Sequence, residues 1–168
     1  MASALELGSP VSQIAAVGRN VLIATFDAVI LYELGADLQL KRLQSFAADI
    51  ALTASASLVG GKLALAYGTF GGAVMLSLDR QEPVPLQQSL DQPVVSLDFG
   101  EDVLTGRTSL AVATDSQVQF FQFRDVHFAP SQTLPVKDVT RVRFGPTGRV
   151  LGVALASGAV QILDAAPQ

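Results

Sequence analysis

Four cations gather near the start of the last quarter of the chain: Lys137, Arg141, Arg143 and Arg149. Arg141 and Arg143 are two residues apart, so in an extended strand both side chains leave the same face. Guanidinium groups present forked donors that match a carboxylate or a phosphate. If this strand lines a channel, the two guanidiniums sit near its entrance, and the four cations together are the candidate binding patch. The plainer reading is that the two arginines pair with Asp138, Asp98 or a neighbouring repeat. A nucleic-acid surface needs a wider basic area with stacking aromatics, and none is apparent.

Other reactive residue types lack the company that chemistry needs. His127 is the single histidine and lies in Phe123-Arg-Asp-Val-His-Phe128, two residues from Asp125. General acid–base work needs a positioned partner, and this segment reads as a connection between outer strands. With one histidine and no cysteine, a transition-metal site would rest on carboxylates alone. Glu101 and Asp102 are adjacent and tend to point apart, and no calcium-loop spacing occurs. Asp27 and Asp115 occupy matching turns, where an aspartate accepts local backbone hydrogen bonds. Gly60-Gly61 and Gly71-Gly72 bracket a hairpin and lack the Gly-Lys-Ser/Thr of a phosphate loop. Ser55, Ser57, Ser96 and Ser116 have no nucleophile motif and no histidine to activate them. No catalytic residue, metal ligand or cofactor is expected.

Composition narrows the class. The 168 residues fit one domain with a real core. Hydrophobic residues make up 49% and charged ones only 15%, against about 25% charged in ordinary globular domains. That deficit points to a surface covered by a permanent partner or to a larger parent protein, and an alanine- and glutamine-rich compositional bias accounts for it equally well. A net charge of −4 gives no general attraction to nucleic acid. The first ten residues lack the basic and apolar regions of a signal peptide, and no apolar run reaches the length of a membrane span. An intracellular protein, cytoplasmic or nuclear and without membrane insertion, is the expectation.

The elements that must position these residues repeat four times. The phrase reads Leu22-Ile-Ala-Thr-Phe-Asp-Ala-Val-Ile-Leu31, then Leu63-Ala-Leu-Ala-Tyr-Gly-Thr-Phe-Gly-Gly-Ala-Val-Met-Leu76. It returns as Leu110-Ala-Val-Ala-Thr-Asp-Ser-Gln-Val-Gln-Phe120 and Leu151-Gly-Val-Ala-Leu-Ala-Ser-Gly-Ala-Val-Gln-Ile162. Apolar residues alternate at period two between turn clusters, which predicts strands throughout. Units of about 38 to 46 residues, over 11–46, 47–90, 91–135 and 136–164, match the period of a four-stranded blade. The fourth unit is one strand short. Ala4-Leu-Glu-Leu7 alternates correctly and is expected to complete it, which would make the chain's ends natural domain ends. Phe120 and Phe121 should face opposite sides of a sheet buried on both faces. The polar stretch 101–108 is a loop insertion in unit three.

The units resemble WD40-like β-propeller blades. The last is clearest, with Val139-Thr-Arg-Val-Arg-Phe144, a Gly-Pro-Thr-Gly148 turn, an apolar second strand and a third strand ending at Leu163-Asp164. There is no Trp-Asp dipeptide and no Gly-His pair, so a divergent member is implied. Residues 93–164 also resemble the terminal blades of Nineteen-complex splicing factors, propeller-bearing ubiquitin ligases, through Leu134-Pro135 and Val139-Thr-Arg-Val-Arg-Phe-Gly145. The ligases' U-box and coiled coil have no counterpart here, and this resemblance would make the chain a propeller module of such a complex. A propeller enzyme acting at the channel mouth is the weakest option. The expected fold is all-β: four four-stranded antiparallel blades, with residues 4–7 completing the last. Four blades can close alone, pair with a second copy, or form a partial ring that is completed by another protein or is a piece of a longer chain. The sequence favours an incomplete ring that meets a partner, acting as a non-enzymatic protein–protein interaction scaffold within a larger complex.

Overall fold

Alternating apolar residues and short Gly- or Asp-bearing turns fold the chain into fifteen strands in four antiparallel sheets, as seen in a computed structural model that describes residues 4–87 and 91–166. The first sheet holds β1 (Val11–Val17), β2 (Asn20–Thr25), β3 (Ala28–Leu34) and β4 (Leu40–Ala47). The second holds β5 (Ala51–Val59), β6 (Lys62–Thr69), β7 (Val74–Leu78) and β8 (Val84–Gln87). The third holds β9 (Ser96–Glu101), β10 (Thr108–Ala113), β11 (Gln117–Arg124) and β12 (His127–Pro135). The fourth has three strands, β13 (Val139–Phe144), β14 (Val150–Leu155) and β15 (Val160–Asp164). Each sheet runs in chain order, as hairpin connections dictate. The strand expected over 84–89 is present to Gln87; its last two residues lie outside the described set.

Two-sided burial follows from the alternation. Successive sheets pack face to face, and each seam has its own apolar core. Leu22, Ala24, Val29 and Leu31 of the first sheet meet Leu63, Leu65 and Tyr67 of the second. Ala64, Ala66, Val74 and Leu76 meet Leu97, Leu110, Val112 and Phe121 of the third. Ala111, Ala113, Val118 and Phe120 meet Val142, Leu151 and Val153 of the fourth. Phe120 and Phe121 thus enter different seams, as consecutive strand residues must.

Missing side chains are as important as present ones at these seams. A Cβ on Gly68 would collide with the Val94 side chain, and one on Gly100 would enter the Phe144 ring. Gly148, at φ +67°, lies against the Glu101 carbonyl. There the loop after β9 docks on the β13–β14 turn, with Val103 N–H donating to the Thr147 carbonyl at 3.1 Å.

The fourth sheet is not completed by residues 4–7. Residues 4–10 carry no strand, and Leu7 packs instead on the outer face of the first sheet, over Ile23, Ile30 and Tyr32. Those three large apolar side chains lie close to Leu7 along the chain, and packing on them keeps the segment local. The two ends of the array therefore differ. On the first sheet's outer face Leu7 helps to bury Ile23, Ile30 and Tyr32, while Ile14 stays 60% exposed. The outer face of the fourth leaves Val160 and Ile162 exposed at 66% and 67%.

Candidate functional site

The first strands of the four sheets, β1, β5, β9 and β13, surround a polar cavity of about 300 Å³. A strand of this kind has one edge paired within its own sheet and one edge facing the next sheet's first strand. The free edge still carries N–H and C=O groups that need partners. In the middle of the array, short polar side chains supply them. Thr53 Oγ1 accepts from Leu97 N–H at 3.1 Å, and Ser55 Oγ accepts from Phe99 N–H at 3.3 Å. One seam further on, Ser96 Oγ accepts from Val142 N–H at 3.1 Å, and Asp98 Oδ2 accepts from Phe144 N–H at 2.8 Å. The Ser55 hydroxyl also donates to Asp98 Oδ1 at 3.2 Å.

These residues hold equivalent positions. Thr53 pairs with Gly68, Ser96 with Ala113 and Arg141 with Ala154, each at the end of its sheet's second strand. Ser55, Asp98 and Arg143 follow two residues later on the same face. The fourth sheet therefore places two arginines where the second and third sheets place acceptors. Both arginines are exposed and line the cavity. Arg141 Nη2 reaches Gln13 Oε1 on β1 at 3.4 Å, a long contact across the gap between first and last sheets. The ion pairs expected with Asp98 or Asp138 do not form: among the described residues the one pair within 4.0 Å is Lys62–Asp79, at 3.7 Å.

Asp98 is the one strongly embedded carboxylate of the cavity. Burial pushes its pKa above 3.8; the Phe144 N–H, the Arg143 charge and the Ser55 hydroxyl oppose that shift without cancelling it. Both of its oxygens are engaged in the seams, so it serves as a structural acceptor.

The four-cation patch divides. Arg141 and Arg143 face the cavity from β13. Lys137 lies in the connection before that strand and Arg149 in the turn after it, so they sit at opposite ends of β13. Arg149 lies near Asp102, whose pKa is held below 3.8 chiefly by the Leu104 N–H.

The remaining candidates are turn or surface residues. His127 is exposed beside the β11–β12 hairpin, where Asp125 adopts φ +56°. Gly60 and Gly61 form the β5–β6 turn at φ +56° and +78°. Ser116 donates to Gln92 Oε1 at 2.6 Å. Asp27 accepts from the Thr25 hydroxyl at 2.9 Å, and that bond is the first cause of its lowered pKa. Asp27 takes its own backbone N–H, as expected, and buried threonines share the role at these turns: Thr25 accepts from Ala28 N–H, Thr69 from Ala73 N–H and Thr114 from Ser116 N–H. This threonine recurs at the end of two second strands and one residue past the end of a third, a signal present in the sequence. Ser55 and Ser96, set aside as lacking a nucleophile motif, prove to be the seam acceptors.

No protein-family model matches the chain, and no curated protein is similar to it in sequence. Solved structures are similar in fold. The computationally designed Ika4 protein aligns with a TM-score of 0.64 at 12% identity, over 96% of this chain and 95% of that one. Kluyvelomyces marxianus Hsv2 aligns with a TM-score of 0.66 at 13% identity, over 96% of this chain. The chain spans about half the length of that protein, 49%. At these identities the likeness is one of backbone arrangement.

Proposed function

We propose that the chain is a non-enzymatic interaction scaffold of WD40-like β-propeller type, and that the fourth sheet is its docking face for a second copy of itself. One observation carries this reading. Val160 and Ile162 are exposed at 66% and 67%, whereas their counterparts Val29 and Leu31, Val74 and Leu76, and Val118 and Phe120 are all buried in seams. Among the described residues the same sheet has no fourth strand, so β15 offers an unpaired backbone edge. An apolar strand with a free edge is a template for pairing with another strand. A two-fold axis in front of this face would pack Val160 and Ile162 of one copy against those of the other, as the seams cover their counterparts, with the free edge of β15 at its rim. Such an interface is self-complementary and needs no second kind of chain. The consecutive packing of the four sheets around one polar cavity supports the propeller reading.

Light scattering of the purified chain tests it. The expected result is a dimer whose fraction rises with concentration and is abolished by V160E/I162E, with the thermal melt of the monomer preserved. A wild-type chain that stays monomeric at about 100 μM refutes self-docking. A dimer that survives the double substitution refutes this face as its site.

A further inference from the structure

At the seam between the second and third sheets and at that between the third and fourth, acceptors on one first strand meet N–H donors on the next. The gap between the last and first sheets breaks this rule. Ile14 pairs with Ile23 and Ala16 with Val21, which places them at the positions of Val142 and Phe144. Val17 and Asn20 close a two-residue turn, so Ala16 and Ile14 fall at the positions whose N–H groups point away from β2. They face β13. What β13 offers them is Arg141 and Arg143, and a guanidinium has five donors and no acceptor. Donors therefore face donors across a cavity of about 300 Å³.

We infer that this cavity is a binding site for a carboxylate, held between the guanidiniums of Arg141 and Arg143 and the backbone N–H groups of Ile14 and Ala16. A carboxylate has two oxygens and about four lone-pair directions, enough to accept from both sides at once. It would do for the fourth seam what Asp98 does for the third. Bonds from arginine to a carboxylate are charge-assisted and short. The Arg141 contact to Gln13 at 3.4 Å is long for a hydrogen bond and is readily exchanged for one. Asp98 lines the same cavity and selects the ligand's charge. Its negative charge repels a phosphate dianion more than a singly charged carboxylate. The ligand class is thus an acidic side chain, aspartate or glutamate, on a polypeptide that enters the cavity.

The test is an NMR titration of the full chain at constant ionic strength. One arm uses acetyl-Gly-Asp-Gly-amide and the other inorganic phosphate. The peptide is expected to move the Ile14 and Ala16 amides and the Arg141 and Arg143 guanidinium signals together and saturably, while Arg19 and Arg124 stay still. R141Q/R143Q should weaken binding by about tenfold or more. R141S/R143D, which copies the acceptor pair of the third sheet, should abolish binding and slow amide exchange at Ile14 and Ala16. No saturable shift up to about 50 mM peptide, or equal shifts at Arg19 and Arg124, overturns the site. Phosphate binding more tightly than the peptide overturns the carboxylate assignment.

Discussion

Replacing Gly100 with alanine should loosen one seam and leave the others intact. Gly100 is in β9, and a Cβ there would fall within the Phe144 ring, against its Cγ and both Cδ atoms. The ring has little room to retreat. The Phe144 N–H is tied to Asp98 at 2.8 Å, and the ring stands edge-on to Phe120 at 6.4 Å. Overpacking of this kind costs about 1–3 kcal/mol, a fall in Tm of about 2–12 °C for a chain of this size. F144A removes the obstacle, and on its own should cost about 2–3 kcal/mol, less than a fully buried phenylalanine. In that background G100A fills vacated space, so its own cost should fall close to zero. Denaturant melts of the four proteins give the coupling, expected at about 1–3 kcal/mol. Hydrogen exchange should quicken in β13 and β14 and stay unchanged between the first and second sheets. If G100A costs as much without the ring as with it, the steric reasoning is wrong and the effect lies in β9 itself.

Other outcomes follow from the same geometry. Titration of the carboxyl carbons should place Asp98 above 3.8 and both Asp27 and Asp102 below it. The signs then oppose each other. The folded state holds the Asp98 proton more tightly, so that stabilisation is present below 3.8 and is lost as pH rises through the folded pKa. Asp27 and Asp102 contribute above 3.8 and lose their contribution as pH falls through their folded values. D98N, which keeps an acceptor for the Phe144 N–H, should remove the first trend from a melting-versus-pH series; an unchanged slope would show that another group carries it. G148A should destabilise by more than G158A, by about 1 kcal/mol or more. Both glycines have positive φ, but only Gly148 abuts a backbone carbonyl, while Gly158 faces open space; equal melting shifts would disprove the close approach. T114V should cost about 1–2 kcal/mol by leaving the Ser116 N–H unpaired, seen as faster exchange at that amide, and a silent substitution would mean water replaces the hydroxyl.

Much of the secondary structure was legible in the sequence because alternation and turns are local properties. Val11–Val17 and Val139–Phe144 have the expected bounds. The four units and the opposite facing of Phe120 and Phe121 follow from the same period. Contacts between sheets were not legible. Ser55 and Asp98 are 43 residues apart, and Ser96 and Val142 are 46 apart. Nothing in their local sequence distinguishes a seam acceptor from an ordinary polar strand residue. The signal exists only after the units are aligned by hairpin register, when Thr53, Ser96 and Arg141 fall into one column. Gly100 likewise reads as a weak strand residue until the Phe144 ring is seen in the place of its side chain.

Residues 4–7 show where period-two reasoning ends. Ala4-Leu-Glu-Leu7 has the alternation of a strand and was expected on the fourth sheet. Alternation says that one face is apolar; it does not say which surface will cover that face. Burial over Ile23, Ile30 and Tyr32 decided the matter. The sequence alone determined an all-β chain of four repeats, with Arg141 and Arg143 on a shared strand face, because each of these depends on residues close along the chain. Tertiary structure alone decided which seams are filled, that the last sheet has three strands among the described residues, and that the two arginines share a cavity with Ile14 and Ala16. Those outcomes depend on which free edge meets which side chain, a contest between segments more than forty residues apart.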